Sequence, residues 1–129
     1  MGAVLLAAAA LLLSGCAPSD YPIFDREASE EDFLPTEVET LWTDGQLDLL
    51  ERDTIRHAAT WKSIELFLAR DPKGGVCLVI WDGAESSMAC GGAILGVSNT
   101  DSRFEVQPAP IGEKDGWIVL SENIRVEDK

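Results

Sequence analysis

An apolar run, a turn and a returning segment within residues 76–92 constrain the fold more than any other part of this 129-residue chain. Residues 76–81 read Val-Cys-Leu-Val-Ile-Trp, so both alternating faces of a strand here would be apolar, as in a central strand covered on both sides. Residues 82–85 follow, and Gly83 suits the first central position of a type II′ turn. We therefore predict a β-hairpin whose first strand lies in the core.

The predicted turn determines which residues of the hairpin face each other. With Gly83 and Ala84 at its centre, counting outward places Cys77 opposite Cys90 at a non-hydrogen-bonded pair. Cα atoms at such a pair lie about 4.5 Å apart, which is within the range of disulfides. The alternative is two buried free thiols, which are common in intracellular proteins. The cellular compartment decides between the two.

The N-terminal residues have the pattern of an export signal. Residues 3–13 are apolar without interruption, and residues 1–15 contain no charged side chain. This run is shorter than the roughly 20 residues that a membrane-spanning helix needs, and it matches the apolar core of a signal peptide. It ends in Leu13-Ser14-Gly15-Cys16, which resembles the lipobox of bacterial lipoprotein precursors.

This resemblance implies that residues 1–15 are a lipoprotein signal peptide and that Cys16 is the lipidated first residue of the mature protein. The chain departs from the family pattern because no Lys or Arg precedes Arg26, and an ordinary signal peptide is the alternative. Lipidation of Cys16 would leave Cys77 and Cys90 to form a disulfide in an oxidising compartment. We therefore expect a lipoprotein that acyl chains such as palmitate anchor to the cell membrane, on its extracytoplasmic side.

Negative charge is concentrated close to the predicted anchor. Residues 17–53 contain 12 acidic and two basic side chains, whereas residues 54–129 contain 11 acidic and eight basic ones. The stretch up to residue 35 has little apolar surface to offset the entropy lost on ordering. We therefore predict that residues 16–35 are a solvated acidic tether, although capture of a basic partner or of cations is an alternative role.

Residues 36–129 are predicted to form a single β-rich domain. Thr36 and Glu39 have the spacing of a capping box, and Val38 with Leu41 would lie on one face of the short helix that follows. Leucines at 47, 49 and 50 suggest a second helical turn against the sheet. Alternating apolar residues predict further strands at 55–61, 64–69, 93–98, 103–107, 117–120 and 124–126, the last at a sheet edge.

The expected fold class is mainly β, namely a small antiparallel sandwich or barrel-like sheet of about seven strands with one or two short N-terminal helices. The segments Val-Cys-Leu-Val-Ile, Cys-Gly-Gly, Gly116-Trp117 and Leu-Ser-Glu-Asn at 120–123 resemble uncharacterised exported proteins of actinobacteria. This resemblance supports the fold and does not bear on activity.

No set of residues in the sequence predicts catalysis, a metal site or a cofactor. His57 is the single histidine and lies on an apolar face, so we expect a packed or edge residue. Zinc is disfavoured because Cys77 and Cys90 are expected in a disulfide, and the acidic turns at 44–48 and 99–101 lack the spacing of a calcium loop. Glu113 and Asp115 lie two residues apart in a polar loop, so surface charge accounts for them better than the acid and base of a glycosidase. An isoelectric point near 4.2 argues against nucleic-acid binding.

The expected function is that of a non-catalytic binding or envelope-associated module, monomeric and without a cofactor, whose ligand is a protein or a small molecule. The four tryptophans are expected mainly in the core, and an exposed binding patch formed by one or two of them is the alternative. Exposed carboxylates on a protruding loop such as residues 111–116 would indicate instead an inhibitor of a basic exported hydrolase. A cleft that holds His57 beside a carboxylate would indicate an enzyme. The four tryptophans are Trp42, Trp61, Trp81 and Trp117.

Overall fold

The computed structural model describes residues 20–42, 45–92, 94–98 and 101–128, which form two antiparallel four-stranded sheets packed face to face. The strand order is β1-β2-β3-β4 in the first sheet and β5-β6-β8-β7 in the second. The predicted fold class is confirmed as a sandwich, and the sheets do not close into a barrel. The strands are β1 (Glu51–Trp61), β2 (Ile64–Arg70), β3 (Val76–Trp81), β4 (Ser86–Gly91), β5 (Leu95–Ser98), β6 (Ser102–Val106), β7 (Ile118–Val119) and β8 (Ile124–Asp128).

Short helical elements precede β1. In the described ranges they are one α-helix and three 3-10 helices: α1 (Thr36–Leu41), Pro22–Phe24, Glu30–Asp32 and Gln46–Leu49. Pro35 occupies the N-cap of α1 and makes no side-chain cap, so the capping box predicted at Thr36 is wrong. Val38 is buried as predicted, whereas Leu41 is 53% exposed. The helix therefore packs by a narrower face than the sequence indicates.

Strand β3 is the centre of the fold, as the sequence predicts, because all six of its residues are buried. Val76, Leu78 and Ile80 belong to the cluster between the two sheets. Cys77 and Val79 point the other way, into a second cluster that includes Leu47 and Leu50 from the helical side. Each such buried aliphatic side chain contributes about 1.5–3 kcal/mol relative to exposure. Successive residues of β3 thus pack into apolar clusters on the two opposite faces of the first sheet.

The hairpin of β3 and β4 has the predicted register. Cys77 faces Cys90, the two form a disulfide, and their Cα atoms lie 4.0 Å apart. Gly83 has a φ of +95°, and the Asp82 N–H donates to the Glu85 carbonyl over 3.2 Å. The glycine at the first central position therefore sets the turn, and the turn sets the cysteine pairing.

The second sheet differs from the prediction at its edge. The described residues form eight strands, and each corresponds to a predicted segment although the predicted total was about seven. The segment expected to end the sheet, β8, pairs with both β6 and β7. Ile124 and Val126 are fully buried because they face the first sheet. The edge strand is instead the two-residue β7, whose side chains are exposed.

Residues 20–35 pack against the sandwich, so the structure corrects the predicted solvated tether over this part. Tyr21 is 1% exposed and lies in the cluster between the sheets, and Asp32 is also 1% exposed. The Asp20 carbonyl accepts hydrogen bonds from the Ala109 N–H (2.7 Å) and from Asn123 Nδ2 (2.8 Å). Although its composition is acidic, the segment buries the aromatic ring of Tyr21 and the paired carboxylate of Asp32. Together these offset the entropy lost on ordering the segment.

The folded unit therefore begins before residue 36, the predicted boundary. Both 3-10 helices of this segment contact β1. The predicted signal peptide, Cys16 and residues 17–19 lie outside the described residues, as do Asp44, Ala93, Asn99 and Thr100.

Candidate functional site

The connection between β6 and β7, residues 107–117, is an exposed loop that hydrogen bonds fix at both ends. At its start the Ile111 N–H donates to the Glu122 carbonyl over 2.9 Å, and the Ile111 side chain is buried. At its end the Trp117 N–H donates to the Lys114 carbonyl over 2.9 Å, and Gly116 adopts a φ of +83° that suits glycine. Residues 112–116 are exposed between these fixed points.

An ion-pair network on the outer face of the second sheet supports the loop. Glu105 on β6 and Arg125 on β8 face each other in register, and Arg125 Nε donates to Glu105 Oε2 over 2.6 Å. Arg125 Nη1 also donates to the Gly112 carbonyl over 2.8 Å. Lys114 Nζ lies 3.2 Å from the other carboxylate oxygen of Glu105. The strands thus hold the loop through one carboxylate and one guanidinium.

The electrostatics of Glu105 favour its charged form. Partial burial raises the pKa of Glu105, but hydrogen bonds from Arg125 and Lys114 outweigh it, so the pKa is below its ordinary value. The Trp117 ring lies 4.8 Å from Lys114 Nζ and 5.8 Å from the Arg125 guanidinium carbon, within the range of cation–π contacts. The network therefore also orients the indole of Trp117.

The loop presents two carboxylates beside an apolar sheet edge. Glu113 and Asp115 are exposed, and they line an open depression that also includes Trp117 and Val119. Exposed carboxylates on this loop are the feature that the sequence predicts for an inhibitor of a basic exported hydrolase, which acts by binding a protein. We take residues 111–119 as the candidate site, and we call it the braced loop.

His57 lies on the edge strand β1 and is half-buried, as expected. Its Nε2 lies 2.6 Å from Glu65 Oε2 and 3.3 Å from Thr60 Oγ1, and its ring packs edge-on against Phe67. Proton relays place the hydroxyl and the carboxylate on opposite ring nitrogens. Both contacts here share one nitrogen, so the ring does not connect Thr60 to Glu65 as a relay would.

The four tryptophans have different environments. Trp81 is buried, and Trp42 and Trp61 are half-buried against the two apolar clusters. Trp117 lies at the braced loop instead. Of the four, Trp117 is therefore the one that the structure associates with the candidate site.

In the ranges that the structure describes, no three side chains of the His, Cys, Asp or Glu type come together as metal ligands would. None of the helices there has the length and apolar character needed to cross a membrane.

The sequence analysis missed the most strongly bonded carboxylate, that of Asp32. Its two oxygens each accept a 2.7 Å bond from the Arg26 guanidinium, and they also accept the backbone N–H groups of Ser29 and His57 over 2.7 and 2.8 Å. The hydrogen bonds from Arg26 hold the pKa of Asp32 well below its usual range, although burial opposes the shift. The spacing of Ser29 and Asp32, which is typical of a helix cap, was the available signal.

Comparison of the chain with protein-family models, curated proteins and solved structures finds no match. The functional inference therefore depends on the residues of this chain alone.

Proposed function

We propose that this chain is a bacterial lipoprotein, held by acyl chains on Cys16 at the extracytoplasmic face of the cell membrane, and that its sandwich is a non-catalytic binding module. The main support for the proposal is that each of the three cysteines can be assigned a role in an exported lipoprotein. Cys77 and Cys90 form a disulfide, which is typical of exported proteins, and Cys16 ends the lipobox-like motif. Each cysteine thus has a role that fits the same compartment.

The packing of Tyr21 adds a spatial element to this proposal. Tyr21 is fixed in the core, so residues 17–20 are all that separates it from the lipidated residue. The five steps from Cys16 to Tyr21 reach at most about 18 Å. The sandwich would therefore sit directly above the lipid headgroups, with the end that holds Asp20 towards the membrane.

We assign binding to the braced loop. A loop that is fixed before binding avoids much of the entropy loss that a flexible loop incurs. Its two exposed carboxylates and the neighbouring Trp117 would suit a partner with basic and apolar groups. The same features favour the alternative function, that of an inhibitor of a basic exported hydrolase, over an enzyme.

The anchor is tested by Cys16→Ala. We expect the variant either to remain an unprocessed precursor or to appear in the soluble exported fraction, because no second acylated residue would replace Cys16. The measurement is fractionation of cells that express the parent or the variant. Mature Cys16→Ala protein that stays on the membrane through a high-salt wash would overturn the proposal.

The binding role is tested by cross-linking in intact cells followed by mass spectrometry. We expect one or more exported proteins to cross-link through Lys114, and expect Glu113→Lys with Asp115→Lys to remove them. The matched control is Glu51→Lys with Asp53→Lys, which makes the same charge change at two exposed positions of β1. Equal loss in both double variants, or no cross-link to the loop in the parent, would contradict the assignment.

A further inference from the structure

A second surface, unrelated to the braced loop, lies between α1 and the β3–β4 turn. It is a groove with an open mouth, and we call it the α1 groove. Its lining residues are Thr36, Glu37, Thr40, Leu41, Trp81, Gly83 and Ala84.

The walls of the α1 groove are apolar and not fully covered. Leu41 is 53% exposed, although Val38 on the same helix is completely buried. Trp81 forms the opposite wall. The space beside Gly83 is open, since a Cβ atom placed on this glycine would have no other atom within 4 Å. A leucine that is half exposed beside an indole gains from being covered by an apolar group.

The charged groups around this groove are acidic. Glu37 lines it, and Asp82 and Glu85 are exposed on the turn that forms one wall. Backbone N–H groups of Glu85 and Ala84 lower the pKa of Asp82, so its carboxylate is ionised at neutral pH. None of the described lining residues is Lys or Arg. The groove therefore combines apolar side chains, those of Leu41, Trp81 and Ala84, with acidic groups.

The groove lies at the end of the sandwich remote from the N-terminal entry. The Arg70 guanidinium packs over the Tyr21 ring at 5.5 Å, and Arg70 pairs with Val76 at the first residue of β3. Trp81 is the last residue of that strand, about 17 Å away at the usual rise per residue. A protein anchored through Cys16 would thus hold the groove away from the membrane.

We propose that the α1 groove binds an amphipathic cationic segment of another exported protein. Apolar side chains of that segment would cover Leu41 beside Trp81, and its Lys or Arg side chains would lie against the acidic groups. A second copy of the chain is a poor occupant, because each copy has a formal net charge of −13. Anionic lipid is repelled for the same reason. The proposal rests on the proposed lipoprotein function in one respect only, namely that the partner is an exported protein.

The test uses a labelled eight-residue peptide of alternating Lys and Leu, titrated with the full-length chain in a nonionic detergent. Fluorescence anisotropy gives Kd, with the signal of micelles alone subtracted. We expect Leu41→Ser to weaken binding about tenfold, which is the effect of exposing one leucine. Leu49→Ser is the matched control, because Leu49 is 56% exposed and does not line the groove. We expect that variant to bind as the parent does.

Charge is tested separately with Glu37→Gln. We expect it to weaken peptide binding and to reduce the dependence of Kd on salt concentration. The control is Glu122→Gln, at an exposed carboxylate at the other end of the sandwich, which should change neither the affinity nor its salt dependence. Equal effects of Leu41→Ser and Leu49→Ser, or equal affinity for a Lys-Ser peptide, would overturn the proposal. Cys16→Ala should bind the peptide as the parent does, so a failure here is distinguishable from a failure of the anchor.

Discussion

Residues 20–35 and residues 107–117 are both irregular, acidic segments held to a sheet by an arginine and a carboxylate, yet the first buries its bonded carboxylate and the second leaves its carboxylates exposed. In the first segment the bonded carboxylate belongs to the segment itself, since Asp32 is buried under Arg26. In the second the arginine and the carboxylate, Arg125 and Glu105, belong to the strands. The loop's own carboxylates, Glu113 and Asp115, remain exposed.

The difference shows that acidity alone does not decide whether a segment folds. The first segment also brings Tyr21 and Phe24, and the Arg70 guanidinium packs on both rings. The second inserts a single buried aliphatic residue, Ile111, at its start. Apolar anchoring makes the first segment part of the core, whereas backbone hydrogen bonds and the side chains of Glu105 and Arg125 hold the second at the surface.

The largest effect is expected from Tyr21→Ala. Removing a buried aromatic side chain from a core costs about 3–5 kcal/mol. Ile118→Ala, at an exposed position of the braced loop, should change the free energy of unfolding by less than about 1 kcal/mol. Urea denaturation of both variants gives the two values. Equal values would show that residues 20–35 do not form part of the cooperative unit.

The next effect concerns the buried carboxylate. Asp32→Ala leaves the donors of Arg26, Ser29 and His57 without their acceptor, and we expect a loss of about 2–4 kcal/mol, below the upper range because Arg26 is partly exposed. The control is Glu39→Ala, which breaks the exposed ion pair with Arg52 and should cost under about 1 kcal/mol. Thermal unfolding of both variants makes the comparison. A small effect for Asp32→Ala would show that the hydrogen bonds of its carboxylate do not hold residues 20–35 to the sheet.

The pH dependence follows from the same carboxylate. The pKa of Asp32 is lowered by folding from an ordinary value of 3.8, so its stabilisation is fully present above about pH 4 and declines as the pH falls below that value. We expect the parent to lose about 1–3 kcal/mol more than Asp32→Asn between pH 5 and pH 2. Denaturant titrations at several pH values test this, and parallel profiles for the two proteins would contradict it.

The smallest effect is expected at the braced loop. Glu105→Gln removes the charge that binds Arg125 and Lys114, and we expect a loss of about 1–2 kcal/mol together with faster amide hydrogen exchange at residues 111–117. Glu113→Gln is the control. It should change the free energy of unfolding by less than about 0.5 kcal/mol and leave amide hydrogen exchange in the loop unchanged within error. If Glu105→Gln leaves exchange in the loop unchanged, the ion pairs do not fix it.

The core of the first sheet was predictable because its information is local. The alternation over residues 76–81 and the turn at Gly83 specify the central strand and the pairing of Cys77 with Cys90 within 17 residues of sequence. The packing of residues 20–35 was not predictable in this way. It depends on contacts between distant residues, such as those of Asp32 with His57 and of Asp20 with Asn123.

The candidate site was only partly visible in the sequence. Glu113 and Asp115 could be recognised as loop carboxylates, but the residues that brace the loop, Glu105 and Arg125, meet only because β6 and β8 are neighbours in the sheet. That neighbour relation was missed because residues 124–126 were expected to form an edge. The exposure of Leu41 was hidden for a similar reason, since helical spacing alone places it on the face of Val38.

The account depends most on the state of Cys16, and mass spectrometry of the protein purified from membranes measures it directly. We expect the N-terminal peptide to begin at Cys16 and to carry the mass of two or more acyl chains. A protein that begins at another residue, or whose Cys16 can be alkylated as a free thiol, would contradict the account.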